Sequence, residues 1–217
     1  MIEYKVVRSR RRTLVISVSA GSVVVKAPVG FSDELIRAFV EKKREWICKK
    51  LEQFSDPRFD DVREGKVLLL DGEPHCLRFG SVRCRETGGT FFMKNAAAMR
   101  EYFKRTRGPL LEREFGMLSA RIGIPFSSVA VRDYKARWGS CDASGNISLN
   151  WRLCMVPPVL RQYVYIHELC HRMHFDHSPD FWRAVGAFCP DYRTARRRLK
   201  EYSFLMLLYR SGGENRG

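Results

Sequence analysis

The chain opens on β-branched runs. Residues 13–18 (TLVISV) and 22–27 (SVVVKA), separated by Ala20-Gly21, predict a β-hairpin that Pro28 and Gly30 close. The period then becomes helical. Ser32 has the character of an N-cap, Asp33 and Glu34 suit a first turn, and Leu35, Ile36, Phe39, Val40, Trp46, Ile47 and Leu51 form a stripe. This predicts one helix through about Phe54, with a basic outer face. Residues 66–70 and 76–79 read as short strands around Asp71-Gly72, a strong turn signal.

The middle of the chain is helical. Residues 96–105 predict one helix, and Pro109 after Gly108 suits the start of a second through about Arg121. A second hairpin is expected from 128–134 and RWGSC (137–141), through a turn at 142–146, to a strand over 147–153. Pro157-Pro158 then opens a helix, Ser178-Pro179 another, and Pro190-Asp191 a last one running to about Tyr209. No internal repeat is present. The elements predict an α+β fold: a small β-rich N-terminal part with one long helix (1–88), and a helical C-terminal part (89–217). In the latter a β-hairpin lies beside the helix after Pro158, and the boundary falls at Gly88-Gly89.

An apolar content of 45% in 217 residues supports a packed core. The seven cysteines are odd in number and never spaced C-x-x-C, which argues against a disulfide framework and a cysteine zinc site and fits a reducing cytosol. The N-terminus lacks the apolar stretch of a signal peptide, and no run approaches the roughly 18 apolar residues of a membrane span. The expectation is a cytoplasmic protein with no membrane partner. A net charge of +15 adds attraction to polyanions such as nucleotides or nucleic acid. The basic residues are spread along the chain, and no nucleic-acid-binding motif accompanies the runs Arg10–Arg12 and Arg196–Arg198.

Four of the five histidines fall within HELCHRMHFDH, residues 167–177. On a helix His167 and His171 stack on one face about a turn apart, so both imidazoles reach one ion. Glu168 lies roughly 100° further round, placed to take a proton from a water rather than to be a third ligand. This is the H-E-x-x-H pattern of zinc hydrolases. A catalytic zinc takes three protein ligands and keeps one position open. His174 would continue the line of His167 and His171, and three ligands on one straight stripe cannot surround an ion. His177 is the better third ligand, because Pro179 forces the helix to end nearby. His174 is then a wall or supporting residue. Asp176, Asp180 and Asp191 are candidates to hold a ligand ring through its other nitrogen, and Phe181 and Trp182 are candidate core anchors. Arg137 and Trp138, in RWGSC, are candidate substrate-binding residues, with Gly139 permitting close approach of another group.

These segments together resemble the YgjP-like metallopeptidase-domain family, related to the SprT-like zincins. The resemblance rests on RWGSC, GNISLNW (145–151), Pro157-Pro158, HELCH, HSPDFW (177–182) and CPDY (189–192). RSRRRTLVISV and REWICKKL match the family's opening. It implies a zincin-like C-terminal part, metal ligands His167, His171 and His177, a catalytic Glu168, and a hairpin ending near the cleft. The metzincin pattern is set aside, because His174 stands at its glycine and no Met-turn follows. The leading expectation is a hydrolase with one Zn²⁺ per chain, acting on peptide or unfolded protein. Its alternatives are a metal-dependent phosphohydrolase of nucleotides and a DNA-associated protease of SprT type.

Overall fold

Seven helices and three small sheets make up the described residues, so the fold is α+β. The structure is a computed structural model that describes residues 2–19, 22–54, 56–206 and 208. The chain divides into two units, Met1–Arg63 and Glu64–Gly217.

In the first unit β2 (Val15–Ser19) and β3 (Ser22–Pro28) pair antiparallel as expected. Their Ala20-Gly21 turn lies outside the described residues. A strand the pattern did not announce, β1 (Lys5–Ser9), pairs parallel with β3 on its other side. Helix α1 (Asp33–Lys42) starts where expected: Leu35 donates its N–H to the Ser32 hydroxyl at 3.3 Å. The single helix expected to Phe54 is two. Lys43 shares its N–H between the carbonyls of Phe39 and Val40, which tightens the turn, and α2 (Arg44–Phe54) follows. No glycine or proline marks this break. Ile36, Val40 and Ile47 bury with Val23, Val25 and Ala27. A short α3 (Asp60–Arg63) ends the unit.

The second unit opens with β4 (Val67–Leu70), β5 (Glu73–Phe79), β6 (Arg85–Thr87) and β7 (Thr90–Met93), in the order β4-β5-β7-β6. Asp71 and Gly72 both adopt positive φ (56° and 88°), the turn that Asp-Gly favours. Gly88-Gly89 does the same for β6 and β7 (58° and 72°). These glycines, where a boundary is expected, make a hairpin turn within one sheet. Paired glycines look alike in sequence whether they make a turn or a linker.

Helix α4 (Ala96–Ile122) is one helix of 27 residues, where two were expected. Pro109 lies inside it. The clash that bars helix before proline involves the preceding Cβ, and Gly108 has none. Phe103, Leu111 and Phe115 bury on both sides of the proline, so packing holds the two halves together. The Asn95 side chain caps its start and Gly123, at φ 74°, its end.

Strands β8 (Ser128–Arg132), β9 (Gly139–Cys141) and β10 (Asn146–Asn150) form a sheet ordered β8-β10-β9. The β9–β10 hairpin is the expected one, and β8 joins β10 in parallel. Residues 151–155 form a 3₁₀ turn rather than more strand. Then come α5 (Pro158–Cys170), α6 (Pro179–Phe188) and α7 (Tyr192–Glu201), followed by a 3₁₀ turn over Tyr202–Met206. The last helix thus stops short of the expected end, and Tyr209 itself lies outside the described residues. No described helix is long and apolar enough to cross a membrane. The seven cysteines are unpaired.

Candidate metal centre

Pro158 sits at the first position of α5, where its missing N–H costs nothing. Leu160, Val164, Ile166 and Leu169 are buried, and so are residues on its other faces, which makes α5 an inner helix. Its start is held from two directions. The β4–β5 turn docks on the segment before it, with N–H bonds from Asp71 to Cys154 O (2.8 Å) and Gly72 to Met155 O (3.2 Å). A Cβ on Gly72 would fall 2.6 Å from the Pro157 ring, so only glycine fits there. Arg161, almost wholly buried, donates Nε and Nη2 to the two carboxylate oxygens of Glu114 at 2.7 Å each, and Nη1 to Asp71. Both carboxylates keep part of their surface in water, so losing one of them leaves Arg161 with the other, whereas losing both would strand a buried guanidinium.

Six residues after Arg161, His167 meets His171 with ring centroids 4.9 Å apart. The helix ends at Cys170, earlier than the sequence suggested. His171 is its C-cap, and tight bonds from Arg172, Met173 and His174 to the carbonyls of Leu169 and Cys170 turn the chain away. His174 therefore never continues the helical line, and the expected reason for excluding it gives way to a simpler one. Its carbonyl has a use: the Nδ1–H of His171 donates to it at 3.0 Å. That bond fixes the tautomer and leaves Nε2 of His171 as the free lone pair.

The returning chain brings His177 to 5.1 Å from the His167 ring and 4.9 Å from that of His171. Nε2 of His177 lies 3.2 Å from Nε2 of His167. One nitrogen from each of His167, His171 and His177 lies within 4.8 Å of the others, so the three rings can hold one metal ion. Phe181, fully buried on α6, touches all three rings, with centroids 4.6–4.9 Å away. Trp182 stacks on His177 at 5.7 Å and on Tyr192 at 5.4 Å. The Ser178 hydroxyl caps α6 just after the third histidine and fixes where these aromatics begin. Burial pushes the His167 pKa down to about 3, with the neighbouring histidines and Arg196 adding to the effect. Burial also lowers that of His171. Neutral imidazoles are what a metal requires.

Glu168 points from the same helix toward β9. A Cβ on Gly139 would fall 2.7 Å from its Oε1 and 2.8 Å from its Cγ, so the carboxylate lies directly on that glycine. Burial pushes the Glu168 carboxyl up to about 8, and the charge of Arg137 pulls the other way. Arg137 is exposed, with its guanidinium over the Tyr134 ring at 5.5 Å. Trp138 is half-buried, and its carbonyl accepts the N–H of Asn150 at 2.8 Å. Both residues belong to the loop that leads into β9, outside the histidine group.

Asn150 was not anticipated. Fully buried, it donates its carboxamide hydrogens to the carbonyls of Tyr134 and Arg137 at 2.9 and 2.8 Å, which pins that loop beside Glu168. A polar residue ending a strand was the sole hint of it. None of the three candidate aspartates bonds a ligand ring: Asp176 accepts the Ser178 N–H, Asp180 pairs with Arg183, and Asp191 precedes α7 without a side-chain cap bond.

No curated protein and no solved structure matches the chain. The family model described as YgjP-like, metallopeptidase domain, matches residues 12–202, a span that takes in RWGSC, the histidine helix and the return through His177. With that span, the chain belongs to the YgjP-like metallopeptidase-domain family.

Proposed function

We propose that the chain is a zinc-dependent peptidase, with Zn²⁺ held by His167, His171 and His177 and Glu168 as general base. The observation that carries this reading is the meeting of three ring nitrogens within 4.8 Å beside a buried carboxyl. Zinc suits the donor set, three neutral imidazoles being a common catalytic arrangement with the fourth position open. Zn–N bonds of about 2.0–2.1 Å at tetrahedral angles put two ligand nitrogens about 3.3 Å apart. The 3.2 Å between His167 and His177 fits that spacing.

Zinc bound there would polarise the scissile carbonyl and make a water acidic at neutral pH. Glu168 accepts the proton of the attacking water and passes it to the leaving amine. Gly139 gives that carboxylate its place. Gly139→Ala would press a methyl into the Glu168 side chain, and the overpacking costs about 1–3 kcal/mol. The expected outcome is unchanged bound metal with turnover lowered at least ~10-fold, measured by elemental analysis and a peptide assay on the same sample. Full activity would show that the carboxylate does not depend on this contact.

One observation favours a second reading. Arg137 is exposed and its charge reaches Glu168, so it is available to clamp a phosphate bidentately. The deciding experiment offers the zinc-loaded protein an unfolded polypeptide and, separately, nucleoside triphosphates. Cleavage of the polypeptide with mild dependence on Arg137→Ala is expected. Zinc-dependent triphosphate hydrolysis without proteolysis, crippled by Arg137→Ala, would overturn the peptidase reading in favour of a phosphohydrolase.

A further inference from the structure

Helix α7 carries Arg193, Arg196, Arg197 and Lys200 at spacings of i, i+3, i+4 and i+7, so they lie along one face. All four are exposed, while Ala195 and Leu199 bury on the other side. None of the four makes an ion pair among the described residues. Elsewhere on the surface arginines do sit on carboxylates: Arg8 on Asp33, Arg44 on Glu41, Arg183 on Asp180. Like charges at this spacing repel by a few tenths of a kcal/mol per pair, and the buried face of α7 holds the helix against that repulsion. The result is a band of positive charge about 10 Å long, with Glu201 at its C-terminal end.

The position of the band gives it meaning. The Arg196 guanidinium lies over the Trp182 ring at 4.7 Å. Trp182 in turn packs against His177 (5.7 Å) and His167 (5.9 Å). The band therefore starts one aromatic ring away from the histidine group. Cation–π contact holds Arg196 in place before any ligand arrives, which lowers the ordering cost of binding. Arg193, over Tyr192 at 5.4 Å, is held in the same way at the neighbouring ring of the stack.

We propose that this face of α7 is a docking surface for an acidic segment of the peptide substrate, which it holds beside the histidine group. The proposal rests on the peptidase reading for the word substrate, and its test separates the two. Two labelled peptides of one sequence are compared, one with a cluster of Asp and Glu and the other with Asn and Gln in their place. Binding to the zinc-loaded protein is read by fluorescence anisotropy and cleavage by mass spectrometry. The expected result is at least ~10-fold tighter binding of the acidic peptide, falling as salt is raised. In Arg193→Gln/Arg197→Gln, which leaves Trp182 and its arginine untouched, the preference should shrink to within about twofold, in KM and not in kcat. Metal content and melting temperature confirm that the variant is folded.

Acidic binding that depends on α7 without cleavage would uphold the surface and count against the peptidase reading. Cleavage of both peptides with equal kcat/KM would do the reverse. An acidic preference unchanged in the variant would overturn the proposal. So would a single-stranded oligonucleotide that displaces the peptide and binds more tightly through the same arginines, since the surface would then belong to nucleic acid.

Discussion

Glu168→Gln is expected to retain its metal and lose hydrolysis by a factor of at least ~10². The amide keeps the size and most of the packing of the carboxylate on Gly139 but cannot take a proton. Elemental analysis alongside turnover on whichever substrate is cleaved reads both halves of the expectation. Activity within a few fold of the parent would remove Glu168 as the base. The same substitution has a second readout that needs no substrate. Burial raises the Glu168 carboxyl from its ordinary 4.5 to about 8. In the metal-free protein the unfolded chain therefore releases this proton from about pH 4.5, while the folded chain keeps it to about pH 8. Between these limits the folded state binds more protons, so its stability falls as pH rises. Glutamine titrates in neither state. The melting temperature of metal-free Glu168→Gln, relative to the parent, should climb across pH 4.5–8 and then level off. His167 titrates in both proteins and cancels from the difference. A flat or falling difference would mean that the carboxyl is ionised in the folded metal-free protein. With a divalent cation bound, the carboxylate is favoured and the slope should shrink.

The other large effect concerns the histidines. His167→Ala and His171→Ala should each release the metal, and His177→Ala should weaken it by more than the roughly 10–100-fold that loss of a supporting partner costs. His174→Ala should change affinity by less than about tenfold, because it is the main-chain carbonyl that holds His171, and alanine keeps that carbonyl. Chelator competition ranks the four variants. Loss of metal should also lower the melting temperature, since His171 and the Phe181 that packs on all three rings are buried. If His174→Ala released metal as readily as His177→Ala, the ligand set would have to be redrawn.

The parts of this arrangement that the sequence announces are those that depend on neighbouring residues. Caps at Ser32 and Ser178, the Asp71-Gly72 turn and the histidine spacing all act within one or two turns of chain, and each lies where the pattern puts it. The failures have the opposite character. The local chemistry of Pro109 allows a helix start, but the burial of Phe103 and Phe115 on either side of it holds one continuous helix. The parallel pairing of β8 with β10 leaves no trace in either strand's composition. At the site, sequence supplied His167, His171, His177 and Glu168 as candidates, and the three rings do meet. Sequence placed Gly139 in a motif without saying that Glu168 would rest on it, because 29 positions of chain separate them. The role of Asn150 was hidden for the same reason.

That difference in reach has a consequence for how the site assembles. The three rings come from eleven consecutive residues, so gathering them closes only a short loop and costs little chain entropy. The anchors of α5 reach much further: Arg161 is 47 positions from Glu114 and 90 from Asp71. The closure cost grows with the length of chain enclosed. Gathering the histidines is therefore the inexpensive half of the site, and holding the helix that carries Glu168 against Gly139 is the expensive half, secured by anchors drawn from distant segments.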